Sequence, residues 1–339
     1  MAGTQSNTLA RTYDALSGRN RIINGACTVV QRVNATISTA NVNSYAGPDR
    51  YRAIIGNSAG GSFTQSSSTL VFGGVTKNCI TQTVATAIAS TTTTNYWAGI
   101  SQLIEGFNCT DLVGQNISIS FIFNTNVAGT YSVALSDSIS AYSYVNTFTV
   151  AANTPTYVAF NLPTTPGGAT VPSSTGVGMV LSIGAINTGT YASTVGNTGI
   201  WSQNNYLTAS TQTNWGLTIG NFISVTELQL EHGNIATPFE RESYALSVAK
   251  CQRYYYSVTS YWLGYTLNAS ACTGAVIFPV SMRGSPSLVA GTTFAASSGS
   301  NGTPAGFDAT TQYYTFVNTG ANWTTTVSIL VTASFTAEY

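Results

Sequence analysis

Hydrolytic chemistry is built from carboxylates and imidazole, and this 339-residue chain gathers several of them in one stretch, "ELQLEHGNIATPFERESYALSVAKCQRYYYSV" at 227–258. Glu227, Glu231, Glu240 and Glu242 lie there beside the only histidine, His232. Spacing tests the enzyme reading. A glycosidase needs paired carboxylates about 5 to 9.5 Å apart, whereas Glu227 and Glu231 on a strand stand about 13 Å apart at roughly 3.3 Å per residue. Glu240 and Glu242, two apart on a helix, point in different directions. His232 has no base or nucleophile marked near it, so it reads as a structural or exposed turn histidine. Asp49, Glu105 and Asp111 carry oxygen ligands, but no loop has the dense acidic spacing of a calcium site. No catalytic residue, metal or cofactor is therefore assigned, and the expectation is a non-enzymatic protein.

Other side chains that could react point the same way. Cys27, Cys79, Cys109, Cys251 and Cys272 are odd in number, widely spaced and without a CxxC pair, which predicts buried thiols. Charged residues make up 6% of the chain, against roughly 25% in a typical soluble protein. Between Leu112 and Thr226 the one charged side chain is Asp137, which leaves no electrostatic footprint for nucleic acid or anionic lipid. Six of the eleven basic residues are arginines in the first 52 positions: Arg11, Arg19, Arg21, Arg32, Arg50 and Arg52. They are expected to pair with Asp14 and Asp49 or to meet a partner protein. The opening "MAGTQSNTLARTYD" has no apolar segment of signal-peptide length, and no run approaches a membrane span. Synthesis and folding in the cytosol, without membrane insertion, are expected.

The elements that must position these residues are strands. In "QNISISFIFNT" (115–125), Ile117, Ile119, Phe121 and Phe123 alternate with Asn116, Ser118 and Ser120, the period of a half-buried strand. Similar runs recur from 130 to the end, separated by Gly, Pro, Asn and Ser clusters. With 43% hydrophobic and 11% aromatic residues the chain carries too much core for disorder. The fold class expected is all-β: a jelly-roll β-sandwich, then a short helix, then a second, smaller C-terminal β-sandwich. The segments predicted are an N-terminal arm at 1–19, the jelly roll at 20–236, a helical joint at 237–252 and a β domain at 253–339.

Within "NFISVTELQLEHG" (221–233) the apolar parity shifts from Ile223 and Val225 to Leu228 and Leu230, which predicts a bulge or burial on both faces. Thr237 reads as a helix cap, Pro238 as the first helical residue and Glu240 as the capping-box partner, with Tyr244, Val248 and Cys251 along one face. Arg241, Glu242 and Arg253 are candidates for ion pairs fixing this joint.

The string "LQLEHGNIATPFERESYALSVAKCQRYYYSV" (228–258) resembles a segment recurrent in bacteriophage tail-fibre and related virion proteins, whose usual form is "QLE-G--ATPFE-R-Y--EL--CQRYY". Two further stretches match in order. "NRIINGACTVVQR" (20–32) followed by "GPDRYRAI" (47–54) is similar to the family's opening strand, Asn-Gly turn and Asp-Arg-aromatic motif. "LIEGFNCTDLVGQNISISF" (103–121) is similar to its internal Ile-Glu-Gly-Phe stretch. "VIFPVSMRGSPSL" (276–288) matches the "FP-PMR--P" stretch of the domain that often follows. The chain departs from the pattern at Lys250, where the family usually has an apolar residue, and at Leu246-Ser247, which replace an acidic pair.

The resemblance implies a virion protein with a carbohydrate-binding-module-like jelly roll, assembled as a homotrimer with other virion proteins as partners. A tail-fibre or receptor-binding role toward a host-surface glycan is the leading expectation. A purely architectural capsid decoration, head-fibre or tail connector protein is the alternative, and a depolymerase the third. Receptor-binding candidates are the C-terminal aromatics Tyr261, Trp262, Tyr265, Tyr313, Tyr314 and Trp323, because rigid rings suit both sugar stacking and protein contact. Arg11, Arg19 and Arg21 are the candidates for docking to the particle.

Overall fold

A computed structural model describes residues 18–38, 42–56, 61–88, 97–187, 189–268, 271–289, 293–296, 303–309, 312–319 and 326–339. The chain forms two compact units, Met1–Ser243 and Tyr244–Tyr339. The helix thus belongs to the second unit, and the boundary falls between Ser243 and Tyr244.

Two antiparallel sheets build the first unit. One holds β1 (Ala35–Ile37), β4 (Ser62–Phe72), β5 (Val75–Thr86), β7 (Ile117–Thr125), β10 (Thr156–Leu162) and β15 (Phe222–His232), in the order β1-β4-β5-β15-β7-β10. The other holds β2 (Val42–Tyr45), β3 (Arg52–Gly56), β6 (Trp97–Glu105), β8 (Gly129–Asp137), β9 (Ser143–Val150), β11 (Val177–Asn187) and β13 (Trp201–Ser202), in the order β13-β9-β8-β11-β6-β3-β2. After β5 the chain crosses between sheets repeatedly, with β6, β8, β9 and β11 in the second and β7, β10 and β15 in the first. This is the connectivity of a jelly roll. A two-stranded parallel pair, β12 (Ala192–Ser193) and β14 (Thr208–Ala209), lies in the long connection before β15.

Inner faces of both sheets share one core, with Phe63, Ile80, Phe121, Phe123 and Ile223 from the first and Ile55, Ile100, Tyr131, Val133 and Leu181 from the second. Each such side chain, fully buried, contributes about 1.5 to 3 kcal/mol. Trp215 plugs the core and satisfies its indole by donating to the Gly184 carbonyl at 2.9 Å, with its ring edge-on to Phe63 at 5.2 Å. The alternation read in β7 holds: Ile117, Ile119, Phe121 and Phe123 join the core. Its other face is not exposed as expected, since Ser118 and Ser120 are also buried, and Ser118 Oγ donates to the Gly233 carbonyl at 2.7 Å.

The parity shift in β15 is a β-bulge. Thr226 pairs with Ile122 and Gln229 with Ser120, so three steps on β15 face two on β7, and Glu227 sits between at φ 49°. The extra residue re-phases the strand, so that Ile223, Val225, Leu228 and Leu230 all enter the core.

Residues 20–32 form turns and irregular chain rather than an opening strand. Where β5 leaves β15 after the Ile80–Val225 pair, this segment replaces it: Arg21 N–H donates to the Leu230 carbonyl at 2.8 Å and Leu228 N–H to the Gly25 carbonyl at 3.0 Å. Gly25 must lack a side chain because its Cβ would collide with the Leu228 carbonyl.

The second unit begins with helix α1 (Tyr244–Gln252), which buries Ser247 and Cys251 while Tyr244 stays exposed, so the expected Tyr244 face is not the packed one. Its strands are β16 (Tyr255–Asn268), β17 (Ala271–Ile277), β18 (Ser287–Leu288), β19 (Thr293–Ala296), β20 (Thr303–Ala309), β21 (Tyr313–Thr319) and β22 (Thr326–Thr336). They form one antiparallel sheet, ordered β18-β22-β16-β17-β21-β20, with β19 also paired to β22. Tyr256, Phe278 and Phe335 make an aromatic cluster with centroids 5.1 to 6.5 Å apart. Arg283 of the "MRGSP" stretch donates to the Ala337 and Glu338 carbonyls at 2.7 and 3.2 Å and lies 3.9 Å over the Tyr339 ring.

Candidate ligand-binding cleft

The outer face of the second sheet carries an open cleft of about 300 Å³. Period-two alternation explains its floor: inward residues of β6 and β11 fill the core, while Trp97, Leu103, Val180 and Ser182 turn outward. β3 contributes Arg52 and Ile54 in the same way, and β8 contributes Ser136. The connection before β15 folds over part of this face and supplies Tyr191, Asn205 and Leu207.

Trp97 and Tyr191 meet edge to face with ring centroids 5.2 Å apart. Gly56 pairs with Trp97 across the β3–β6 ladder, and a Cβ there would run into the indole. Arg52 Nε and Nη2 reach Ser101 Oγ at 3.3 and 3.2 Å. Asn205 contributes a buried carbonyl oxygen with no hydrogen-bond partner among the described residues. An unpaired buried acceptor costs about 1 to 3 kcal/mol, which a bound hydroxyl would offset.

Asp137 fixes one rim. Its Oδ1 accepts from the Ala141 and Tyr142 N–H groups at 2.8 and 3.2 Å, and its Oδ2 accepts from Thr170 N–H at 3.0 Å. That loop presents Ser138 and Ser140 to the cleft. The cleft therefore offers two aromatic side chains, a row of hydroxyls, an amide and one guanidinium; its lining has no Asp, Glu, His or Cys to move a proton.

The charged segment at 227–243 has another role. Glu231 is 2% exposed, and its carboxylate accepts from Thr237 N–H and Oγ1 at 2.7 Å each and from Gln229 Nε2 at 2.8 Å, with Arg19 Nε 3.3 Å away. Glu240 accepts from the Gly18 and Asn20 N–H groups at 2.5 and 2.8 Å, and its own N–H donates to Gln229 Oε1 at 2.7 Å. Asn20 completes the lattice through Leu228 and Leu230, and Arg19 Nη2 donates to the Pro238 carbonyl at 2.6 Å. These contacts clasp residues 18–25 to the end of β15.

The capping box is thereby overturned. Thr237, Pro238 and Glu240 precede the helix, which begins at Tyr244. Thr237 donates its hydroxyl and amide to the buried Glu231 carboxylate in charge-assisted hydrogen bonds, instead of accepting from the free N–H groups of a helix start. Arg241 does form an ion pair, with Glu227 Oε1 at 2.6 Å, a carboxylate it shares with Lys77 at 2.8 Å. Arg253 Nη1 donates to the Ser281 carbonyl at 3.4 Å inside the second unit.

No family model and no curated protein matches the chain. Solved structures do. A family 4 carbohydrate-binding module is 14% identical, covering 62% of this chain and 98% of its own, with a TM-score of 0.30. The C-terminal family 22 carbohydrate-binding module of Clostridium thermocellum Xyn10B is 13% identical over 58% of this chain and 99% of its own, with a TM-score of 0.30. A cyclase from Fischerella sp. TAU is 9% identical over 63% and 96%, again at 0.30. The fold assignment rests on the sheets described above.

The remaining sequence candidates fall as follows. Arg19 and Arg21 are engaged inside the first unit, Arg19 in the clasp and Arg21 with Asp111 at 2.6 Å. Arg11 and Trp323 lie outside the described residues, as do the side chains of Tyr261, Trp262, Tyr265 and Tyr314. Tyr313 opens β21 and is 37% exposed. Asp49 binds Gln31 at 3.1 and 2.5 Å and lies 4.0 Å from Arg32. His232 Nε2 is 3.3 Å from Gln115 Oε1. Cys27, Cys79, Cys109 and Cys251 are buried thiols. Burial pushes Cys27 and Cys109 up to about 12, so neither is a nucleophile at neutral pH. Of the cleft residues, Arg52 alone is singled out by the sequence, as one of the six N-terminal arginines; the others come from separate strands and loops that only folding unites.

Proposed function

We propose that this chain is a non-enzymatic, glycan-binding protein of a bacteriophage virion, a tail-fibre or receptor-binding protein that holds a host-surface saccharide in the cleft of its first unit. The observation that carries the glycan reading is the cleft itself: Trp97 beside a row of serine hydroxyls and the unpartnered Asn205 oxygen. A sugar has an apolar face for an aromatic ring and a rim of hydroxyls for polar partners. The virion assignment, the homotrimer and the attachment role draw support from the ordered motifs at 20–32, 47–54, 103–121 and 228–258.

The test is a glycan array probed with the full chain and with Trp97→Ala. Saccharide retention that falls at least tenfold in the variant, with its melting temperature unchanged, is the expected result. No retained saccharide, or retention indifferent to Trp97, removes the cleft from the account. Antibody labelling of intact particles tests the attachment role: label at the tail tip is expected, and label on the head would give the protein an architectural place instead.

A further inference from the structure

We propose that Asn205 reads one free hydroxyl of the bound saccharide, so that O-acylation of that hydroxyl shuts the glycan out of the cleft; this deepens the glycan reading and rests on it. The polar side chains lining the cleft differ in what they ask of a ligand. Serine and tyrosine hydroxyls rotate to donate or to accept, while guanidinium and indole groups only donate. The Asn205 carbonyl oxygen only accepts, and it is the one such side-chain atom in the lining. It is buried, with no hydrogen-bond partner among the described residues.

The chain around this oxygen is fixed in place. Ser143, 1% exposed on β9, donates its hydroxyl to the Asn204 carbonyl at 2.6 Å and accepts from Tyr206 N–H at 3.0 Å through the same oxygen. Both neighbours of Asn205 are thus tied to one buried serine. Just before this point β13 pairs with β9, Ser202 against Ser143, and just after it Leu207 N–H donates to the Tyr191 carbonyl at 2.8 Å. Held on either side, the backbone of Asn205 cannot withdraw toward a donor elsewhere in the loop.

The missing donor is left for a ligand to supply. A sugar hydroxyl supplies it, whereas the ester of that hydroxyl offers oxygens alone and leaves the acceptor buried and unpaired. A site built around one such hydrogen bond rejects the analogue lacking the donor by roughly tenfold or more.

Calorimetry on the full chain tests this with trisaccharides of glucose, galactose, mannose and rhamnose, each beside forms carrying fluorine or an O-acetyl group in place of one hydroxyl. Fluorine is close to the hydroxyl in size and cannot donate. At one ring position of one sugar, both substituted forms are expected to bind roughly tenfold or more weakly than the parent. Asn205→Leu should bring the parent and its fluoro form level, and Asn205→Asp, which still presents an accepting oxygen, should keep them apart. The comparison of parent with fluoro form needs only the wild-type protein, so a misfolded variant does not blunt it. Fluoro forms that all bind like a parent whose own binding is lost in Trp97→Ala overturn the hydroxyl reading and leave the glycan reading standing. Weakening by the O-acetyl group alone does the same, since bulk then accounts for it. A hydroxyl preference that survives in Asn205→Leu takes the role from Asn205, and binding to none of the parent sugars overturns both readings.

Discussion

Glu231 is a buried carboxylate in a chain that avoids charge, and its neighbours explain why it is kept. Thr237 gives it two hydrogen bonds, Gln229 a third, and Arg19 an opposite charge. Replacing it with alanine would leave Arg19 and Thr237 facing an emptied site. Glu231→Ala is expected to cost about 3 kcal/mol, the scale of breaking a buried ion pair from one side. In thermal unfolding this lowers the melting temperature of the first unit by roughly 6 to 12 °C. A variant that melts like the wild type would show that the clasp adds nothing to stability. Glu227, four residues earlier, is a contrasting carboxylate: it joins Lys77 and Arg241 near the surface. Proximity in sequence brought neither glutamate into a shared site, because the bulge and the strand keep them in separate networks.

At the scale of elements, β7 and β15 could be read from sequence because each alternates against a single core, and a break in that alternation marks a bulge. Deleting Glu227 would remove the extra residue and leave Val225, Leu228 and Leu230 in unbroken alternation, all still toward the core. Such a deletion is expected to keep a native-like circular dichroism spectrum, as is Glu227→Asn, a residue tolerant of positive φ. One residue inserted after Glu227 would instead turn Leu228 and Leu230 outward and is expected to yield insoluble or unfolded protein. A soluble, native-like insertion would contradict the re-phasing role. The helix start was misread for a physical reason: capping rules weigh local partners, and Thr237 found a charged partner supplied by the preceding strand. The cleft was illegible for a related reason. Arg52, Trp97, Ser136, Ser182 and Asn205 are up to about 150 positions apart, and no periodicity links them.

The whole molecule has zero formal net charge and eleven acidic side chains, so few carboxylates govern its response to acid. Its alkaline limit is set by groups in the core. Burial raises Cys27 and Cys109 from 9.0 to about 12, and also raises Cys79, Tyr131 and Tyr144. Between pH 9 and 12 the native state keeps thiol protons that the unfolded chain has released. Stability from these groups is therefore complete below pH 9 and declines as pH rises toward 12. Denaturant midpoints measured across that window should fall steadily, with Cys27→Ser and Cys109→Ser flattening the decline. A flat wild-type profile would mean the thiols ionise as readily inside as out.

The clasp between residues 18–25 and the end of β15 also bears on how such a unit travels between proteins. Its two ends are fastened side by side, Gly18 to Glu240 and Arg19 to Pro238. A module tied off in this way can be spliced into a loop of another chain, or placed before a new partner, without pulling its own ends apart. The string "QLEHGNIATPFE" then acts as the knot of a portable cassette, closing the sandwich at the point where a different neighbour can be attached.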